Sequence, residues 1–191
     1  MLDRSRHVLL ALLLCSPLAA GAQSWGVPQL MEAMAQVPAH ESRFTEKKTL
    51  ALLKAPLESS GTLSYRRPSY VEKHVLAPQD ETLAVDGDEL TWQNNATGKK
   101  RKLRLQNNLA LAALVESIRA TLAGDLKTLQ RFYEVRLDGT STKWTLTLTP
   151  SDDAMRRTLQ SMRVEGSGNR MLVVDVLEAG GDRSVMQIQH D

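Results

Sequence analysis

The side chains that could carry out catalysis are few and lie far apart in the sequence. His40, His74 and His190 stand alone, and no Gly-x-Ser-x-Gly motif is present. The single cysteine, Cys15, falls in an N-terminal segment with the features of an export signal. A serine triad and a thiol nucleophile both need partner groups that this sequence does not offer in a recognisable order. We therefore predict no catalytic residues, no enzymatic activity and no cofactor.

The acidic and histidine residues do not form a metal-binding motif. No two histidines have the spacing of metal ligands. The pair Asp152-Asp153 follows Pro150, where two aspartates are typical of a turn or a helix N-terminus. We predict no metal site.

A basic run, Lys99 to Lys102 with Arg104, is the strongest charge feature. It has two interpretations. The run could contact the anionic headgroups of phospholipid or lipopolysaccharide, or its lysines could protect an edge strand from unwanted pairing. The formal net charge of the whole chain is only +2. A charge so close to neutral argues against a dedicated nucleic-acid-binding protein.

Residues 1–22 have the features of a secretory signal. Two arginines precede a short apolar core, and small residues precede Ala22 as the cleavage rule requires. We expect cleavage after Ala22, a periplasmic location and a single domain over residues 23–191. The alternative is a lipoprotein signal acylated at Cys15, although a leucine stands where a small residue is expected. Cleavage after Ala22 would remove the only cysteine and leave no possible disulfide.

Period-two alternation of apolar and polar residues dominates from Arg43 onward and predicts an antiparallel sheet built by successive hairpins. We place turns at Glu58–Gly61, at Asp86-Gly87 and at Asp138-Gly139. About ten strands and two or three helices result. The predicted fold class is mainly β with helices.

Two stretches have helical periodicity instead. Residues 26–37 place apolar side chains on one stripe, and residues 109–122 are apolar around most of their circumference. Asn107 or Asn108 can cap the second helix, which should end at Gly124. A helix this apolar, next to a single sheet, predicts a helix closing over a concave sheet with a cavity between them. We expect ten residues to line the cavity: Phe44, Leu63, Tyr65, Trp92, Leu111, Leu114, Val115, Ile118, Trp144 and Leu146.

Several short motifs occur in an order that resembles the LolA family of periplasmic lipoprotein carriers. They are Phe44-x-Glu46-x-Lys48, Gly61-Thr-Leu-Ser-Tyr65-x-Arg67-Pro68, Asp86-Gly87-x-x-Leu90-x-Trp92 and Trp144-x-Leu-x-Leu-x-Pro150. The resemblance covers nearly all of the chain after the signal. It implies an incomplete, curved antiparallel β-barrel with a helical lid, as in LolA and LolB. It also implies a role for Arg67 as a latch that bonds to the lid and keeps the cavity closed.

The resemblance further implies a function and partners. The chain would take the acyl chains of lipoproteins from an inner-membrane transporter and pass them to an outer-membrane acceptor, and we expect it to act as a monomer. Two departures bear on the cargo: Glu46 replaces a glutamine common in the family, and residues 107–132 are longer and more helical than the usual lid. The alternative is a periplasmic carrier or sensor of another acylated lipid, such as a glycolipid or an aryl polyene.

Overall fold

The computed structural model describes residues 25–190, with Leu109 and Ala110 described by their backbone only. The predicted signal, its cleavage site and Cys15 lie outside the described residues. From residue 25 to residue 190 the chain forms four α-helices and eleven strands. The helices are α1 (Val27–Ala35), α2 (Leu109–Ala123), α3 (Leu126–Phe132) and α4 (Asp153–Arg156). The strands are β1 (Ala39–Thr49), β2 (Leu57–Arg66), β3 (Tyr70–Ala77), β4 (Glu81–Asp86), β5 (Glu89–Asn94), β6 (Lys100–Arg104), β7 (Tyr133–Thr140), β8 (Lys143–Pro150), β9 (Leu159–Ser167), β10 (Arg170–Glu178) and β11 (Arg183–Gln189).

All of these strands belong to one antiparallel sheet, in the order β6-β5-β4-β3-β2-β1-β11-β10-β9-β8-β7. Nearly every neighbour in the sheet is also a neighbour in sequence, as successive hairpins require. The exception is the pairing of β1 with β11, in which Phe44 lies opposite Ile188. Strands β6 and β7 are the two edges and do not pair with each other. The predicted incomplete antiparallel barrel with a helical lid is confirmed.

The helices lie on one face of the sheet, which we call the inner face. The main core packs Leu30 and Met34 of α1 and Ala113 of α2 against strand residues such as Leu146 and Met162, all of them buried. A smaller core cluster forms where α2 covers the hairpin of β4 and β5. The predicted caps of α2 are present, because the Asn108 side chain accepts a hydrogen bond from the backbone N–H of Leu111 and Gly124 ends the helix in the left-handed conformation.

The strand pairing defines two ends of the sheet. The Leu52 end carries the connections at residues 50–56, 78–80, 95–99 and 179–182. The Arg67 end carries the turns at residues 67–69, 87–88, 141–142 and 168–169.

Two predicted turns are wrong, whereas the hairpin turn predicted at Asp86-Gly87 is present one residue later, at residues 87–88. Glu58–Gly61 lies inside β2, where Gly61 permits close approach of β3: a Cβ at this position would lie 1.9 Å from the carbonyl oxygen of His74. Asp138-Gly139 lies inside β7, and the turn follows at residues 141–142. Gly139 pairs with Trp144 at a φ of +103°, a conformation that favours glycine.

Candidate functional site

A largely apolar cavity of about 270 Å³ lies between the inner face and the helices. Helices α1 and α2 form its roof. Strands β1 to β5 and β9 to β11 form its floor, because alternate residues of each strand point to the same face. The apolar side chains that line it are Met34, Val37, Leu63, Tyr65, Val71, Leu83, Val85, Leu90, Leu111, Leu114, Val115, Ile118, Leu122, Met162, Met171, Val174, Val176, Met186 and Ile188.

Six of the ten residues predicted to line a cavity lie on its wall. Leu63 and Tyr65 belong to β2 on the floor, and α2 contributes Leu111, Leu114, Val115 and Ile118. The four α2 side chains are only half-buried although they are apolar. They line the cavity and also pack against the neighbouring core clusters.

Trp144 and Leu146 lie on the inner face but belong to the core beneath the helices. They are 1% and 0% exposed, respectively. The indole Nε1 of Trp144 donates a hydrogen bond to the carbonyl oxygen of Gly168 at 3.0 Å, and the ring lies over Gly166, where a Cβ would come within 2.2 Å of it. These two residues therefore belong to the main core under the helices, beside the cavity and not on its wall.

Phe44 and Trp92 share the inner face with lining residues but are not on the cavity wall. Phe44 is 1% exposed and lies opposite Gly61, and the Lys73 ammonium is 4.9 Å from the centre of its ring. Trp92 is partly exposed beyond Leu90, toward the Leu52 end. Its indole Nε1 donates to Glu81 at 3.3 Å.

The cavity wall is exposed at the Leu52 end, and also at Asn169 in the turn at the Arg67 end. Along β4, exposure rises from 4% at Val85 to 37% at Leu83, and both side chains line the cavity. Along β5, exposure likewise rises from buried Leu90 to partly exposed Trp92. Helix α2 therefore covers the Arg67-end parts of β4 and β5 and leaves their Leu52-end parts uncovered.

An ion pair that the sequence reasoning missed forms part of the wall near this opening. Lys73 of β3 donates to the Glu46 carboxylate on β1, and both residues line the cavity. Ser184 donates to the same carboxylate at 2.6 Å and Ser59 at 3.2 Å. Burial opposes ionisation of Glu46, but the Lys73 charge and these hydrogen bonds outweigh it and lower the pKa of the Glu46 carboxyl.

A histidine pair forms a second polar part of the wall, at the Arg67 end. His40 Nε2 lies 2.5 Å from His190 Nδ1, and His190 Nε2 lies 2.5 Å from the carbonyl oxygen of Met171. Burial, together with the nearby His190 and Arg170, lowers the pKa of His40. Across residues 25–190, no three His, Cys, Asp or Glu side chains are grouped so that they could hold a metal ion.

Two arginines join the helices to the Arg67 end of the sheet. Arg67, the predicted latch, donates to the carbonyl oxygen of Ala35 at the end of α1. Arg119 of α2 donates to the carbonyl oxygen of Gly87 at 2.5 Å and to that of Ser69 at 3.4 Å. Sequence reasoning missed Arg119 because its acceptors are backbone atoms in turns that only the fold brings near it.

None of the helices in the described part of the chain is long and apolar enough to cross a membrane. Chemically, the site offers a largely apolar chamber whose roof is held by packing and a few hydrogen bonds. Its wall contains the Glu46–Lys73 pair, the histidine pair and four further polar residues: Ser42, Ser64, Asn169 and Ser184.

Comparisons with known proteins place this geometry in context. The sequence model of the family described as outer membrane lipoprotein carrier protein LolA-like matches residues 19–187. No curated protein matches the chain. A similar solved structure is the LolA superfamily protein NE2245 from Nitrosomonas europaea, at 11% identity and a TM-score of 0.45, with 87% of this chain and 92% of that chain covered.

Two further structures are similar. The MucA/MucB complex of Pseudomonas aeruginosa has 16% identity and a TM-score of 0.46; 86% of this chain is covered but only 56% of that chain. A putative outer membrane lipoprotein-sorting protein domain from Vibrio parahaemolyticus has 10% identity and a TM-score of 0.44, with 85% of this chain and 88% of that chain covered. The family match runs from before α1 into β11 and so includes the helices and most of the sheet that form the cavity.

Proposed function

The chain belongs to the LolA-like family of outer membrane lipoprotein carrier proteins, and we propose from this premise that it is a periplasmic carrier that shelters the acyl chains of lipoproteins and moves them from the inner to the outer membrane. It would receive its cargo from an inner-membrane transporter, release it to an outer-membrane acceptor, and act as a monomer.

The apolar cavity is the observation that carries this proposal. Exposing an acyl chain to water costs about 0.8 kcal/mol per methylene. A lipid with a chain of ordinary length therefore cannot cross an aqueous compartment uncovered. The half-buried leucine, valine and isoleucine side chains of α2 line the same space as Leu63 and Tyr65 of β2, and most of the lining residues are apolar. Such a lining suits an alkyl chain better than a polar substrate.

The size of the cavity requires the roof to move. A volume of about 270 Å³ is near the lower end of ligand pockets, which start at roughly 300 Å³. A long acyl chain would therefore displace α2 from the sheet. In this proposal Arg67 and Arg119 hold the empty form closed, and the entering chain separates α2 from the turns at Gly87 and Ser69. Phe44, Trp92, Trp144 and Leu146 would shape the floor around the chain.

A second candidate function is the carriage or sensing of another acylated lipid, such as a glycolipid or an aryl polyene. The Glu46–Lys73 pair favours it. A pair beside the opening provides donors and acceptors for a polar headgroup, whereas an alkyl chain alone has no use for a partly buried charge.

The test is native mass spectrometry and lipid extraction on protein purified from a periplasmic fraction. Leu63→Trp should fill the cavity and remove bound lipid, because the larger ring occupies the space of the acyl chain. Thr62→Trp is the matched control, since the neighbouring residue points to the opposite face of β2. It should leave the bound lipid unchanged.

Three outcomes separate the candidates. Acylated peptide or lipoprotein in the wild type, lost in Leu63→Trp, supports the lipoprotein carrier. A free glycolipid or polyene supports the second candidate. A protein that stays empty, or one that keeps its lipid equally in both variants, contradicts the cavity as the binding site.

A further inference from the structure

The connection between β1 and β2 exposes an unusual amount of apolar surface. Every residue from 51 to 58 is exposed, and six of these eight positions are alanine, leucine or proline. Leu52 is 97% exposed, Leu53 48% and Leu57 53%. Single exposed leucines are ordinary on a protein surface, but a short segment with this many exposed apolar residues indicates an interaction site.

The structure holds this segment in place and away from the core. The backbone N–H of Leu53 donates to the carbonyl oxygen of Leu50 at 3.0 Å and so closes a turn. The backbone N–H of Ala51 donates to the Asp182 carboxylate at 2.8 Å, which fixes the segment to the connection between β10 and β11. Leu57 then begins β2 opposite Lys48. The leucines therefore project from an anchored turn at the tip of the sheet.

The position of the segment relates it to the cavity. It lies at the Leu52 end, where Leu83 is 37% exposed on the cavity wall. A surface that contacts this end of the molecule would therefore also meet the opening of the cavity.

The charges at this end favour an anionic surface. Three of its acidic groups have partners within the protein: Asp182 accepts from Ala51, Glu178 pairs with Lys48 and Asp80 with His74. Glu58 adds a negative charge at the end of the exposed stretch. Lys54 stands next to the exposed leucines, and Lys99 and Lys100 lie at the connection between β5 and β6 at the same end. Lysine stems can lie along hydrocarbon while their ammonium groups stay among lipid headgroups.

We propose that residues 51–57 are a membrane-docking segment, in which Leu52 and Leu53 insert into the surface of an anionic phospholipid bilayer while Lys54 contacts its headgroups. Fluid hydrocarbon accepts an apolar side chain in any orientation, so the segment needs no matching partner surface. Docking would bring the opening of the cavity to the membrane. The inference goes beyond the proposed carriage of lipid, because docking does not require a filled cavity.

Vesicle binding tests the segment directly. Purified protein with the same N-terminus in every variant is titrated with vesicles of phosphatidylcholine and phosphatidylglycerol in a 3:1 ratio, and with vesicles of phosphatidylcholine alone. Wild type should bind the anionic vesicles. Leu52→Ser should weaken binding about tenfold, and the double variant Leu52→Ser/Leu53→Ser about a hundredfold. Lys54→Glu should weaken binding to anionic vesicles only.

Leu172→Ser is the matched control. Leu172 is 39% exposed on β10, near the Arg67 end of the sheet, and its replacement should leave vesicle binding unchanged. The proposal is overturned if wild type binds neither vesicle, or if the double variant binds as wild type does. In the first case a protein partner becomes the occupant to seek.

Measuring bound lipid in the same proteins keeps this inference separate from the proposed function. The double variant should keep its lipid content, since its substitutions lie outside the cavity. Leu63→Trp should lose lipid yet bind vesicles as wild type does. Failure in one assay therefore leaves the other conclusion intact.

Discussion

Replacing Arg119 with methionine should release helix α2 from the sheet. Methionine retains an apolar side chain of similar length but removes the donors to the carbonyl oxygens of Gly87 and Ser69. The Arg119 side chain is only 16% exposed, but its acceptor on Gly87 lies at the surface, so this hydrogen bond should contribute in the lower part of the usual range. The covalent connections of α2 are unchanged, and the rest of the protein should fold normally.

The magnitude follows from the two distances. The contact with Gly87 is 2.5 Å long, and a hydrogen bond from a charged donor contributes about 1.5–3 kcal/mol. The contact with Ser69, at 3.4 Å, is long enough to contribute little. Losing about 2 kcal/mol of closure free energy raises the population of the open form roughly thirtyfold.

Hydrogen exchange measures this population. The amides of residues 111–122 should exchange about thirtyfold faster in Arg119→Met, while amides of β8 and β9 keep their protection. Glu116→Gln is the control, because it removes the ion pair with Arg119 but leaves both carbonyl contacts. Arg67→Met should act on the end of α1 through Ala35. Unchanged exchange of α2 in Arg119→Met would show that packing alone holds the roof.

Three further predictions concern the floor of the cavity. Glu46→Gln should make the free energy of unfolding depend less on pH below the ordinary carboxyl pKa of 4.5. A carboxylate whose pKa is lowered in the folded state stabilises the fold at higher pH, and this contribution is lost as the pH falls through the folded-state pKa. An unchanged pH dependence would contradict the Lys73 pair. Tyr65→Phe should stabilise the protein by about 1 kcal/mol in urea denaturation, since the buried hydroxyl has no hydrogen-bond partner within residues 25–190; destabilisation would reveal a partner. Gly61→Ala should cost about 2–3 kcal/mol in the same assay through its clash with β3, whereas Gly180→Ala, in open space, should cost little.

Local sequence rules predicted the elements whose causes are local. The turn predicted at Asp86-Gly87 and the caps of α2 depend on residues a few positions apart, and the structure has them within one residue of their predicted positions. The wrong turn at Glu58–Gly61 has a tertiary cause. Its serines and glycine are typical of turns, but β1 pairs with this stretch, and Ser59 donates to Glu46 across the strands.

The alternation of apolar and polar residues along a strand predicted which face of the sheet each side chain points to. It did not predict which of these side chains the helices cover. Leu63 and Leu146 both point to the inner face, yet one lines the cavity and the other lies in the core under the helices. The difference depends on where α1 and α2 cross the sheet, and no spacing within a strand contains that information. Glu46 and Lys73 are 27 positions apart and meet only through the register of β1, β2 and β3.

In the proposed function, the protein must bind an acyl chain firmly and still release it, and its roof would meet both demands. Burying a dozen methylenes contributes roughly 10 kcal/mol at about 0.8 kcal/mol each. Opening opposes this, because the entering chain must separate Arg119 from its carbonyl partners and part α2 from the sheet. The same contacts re-form when the chain leaves and so favour release. Net affinity is then the difference between two opposed terms, and Arg119→Met should shift it toward retention by the roughly 2 kcal/mol that the closed form loses.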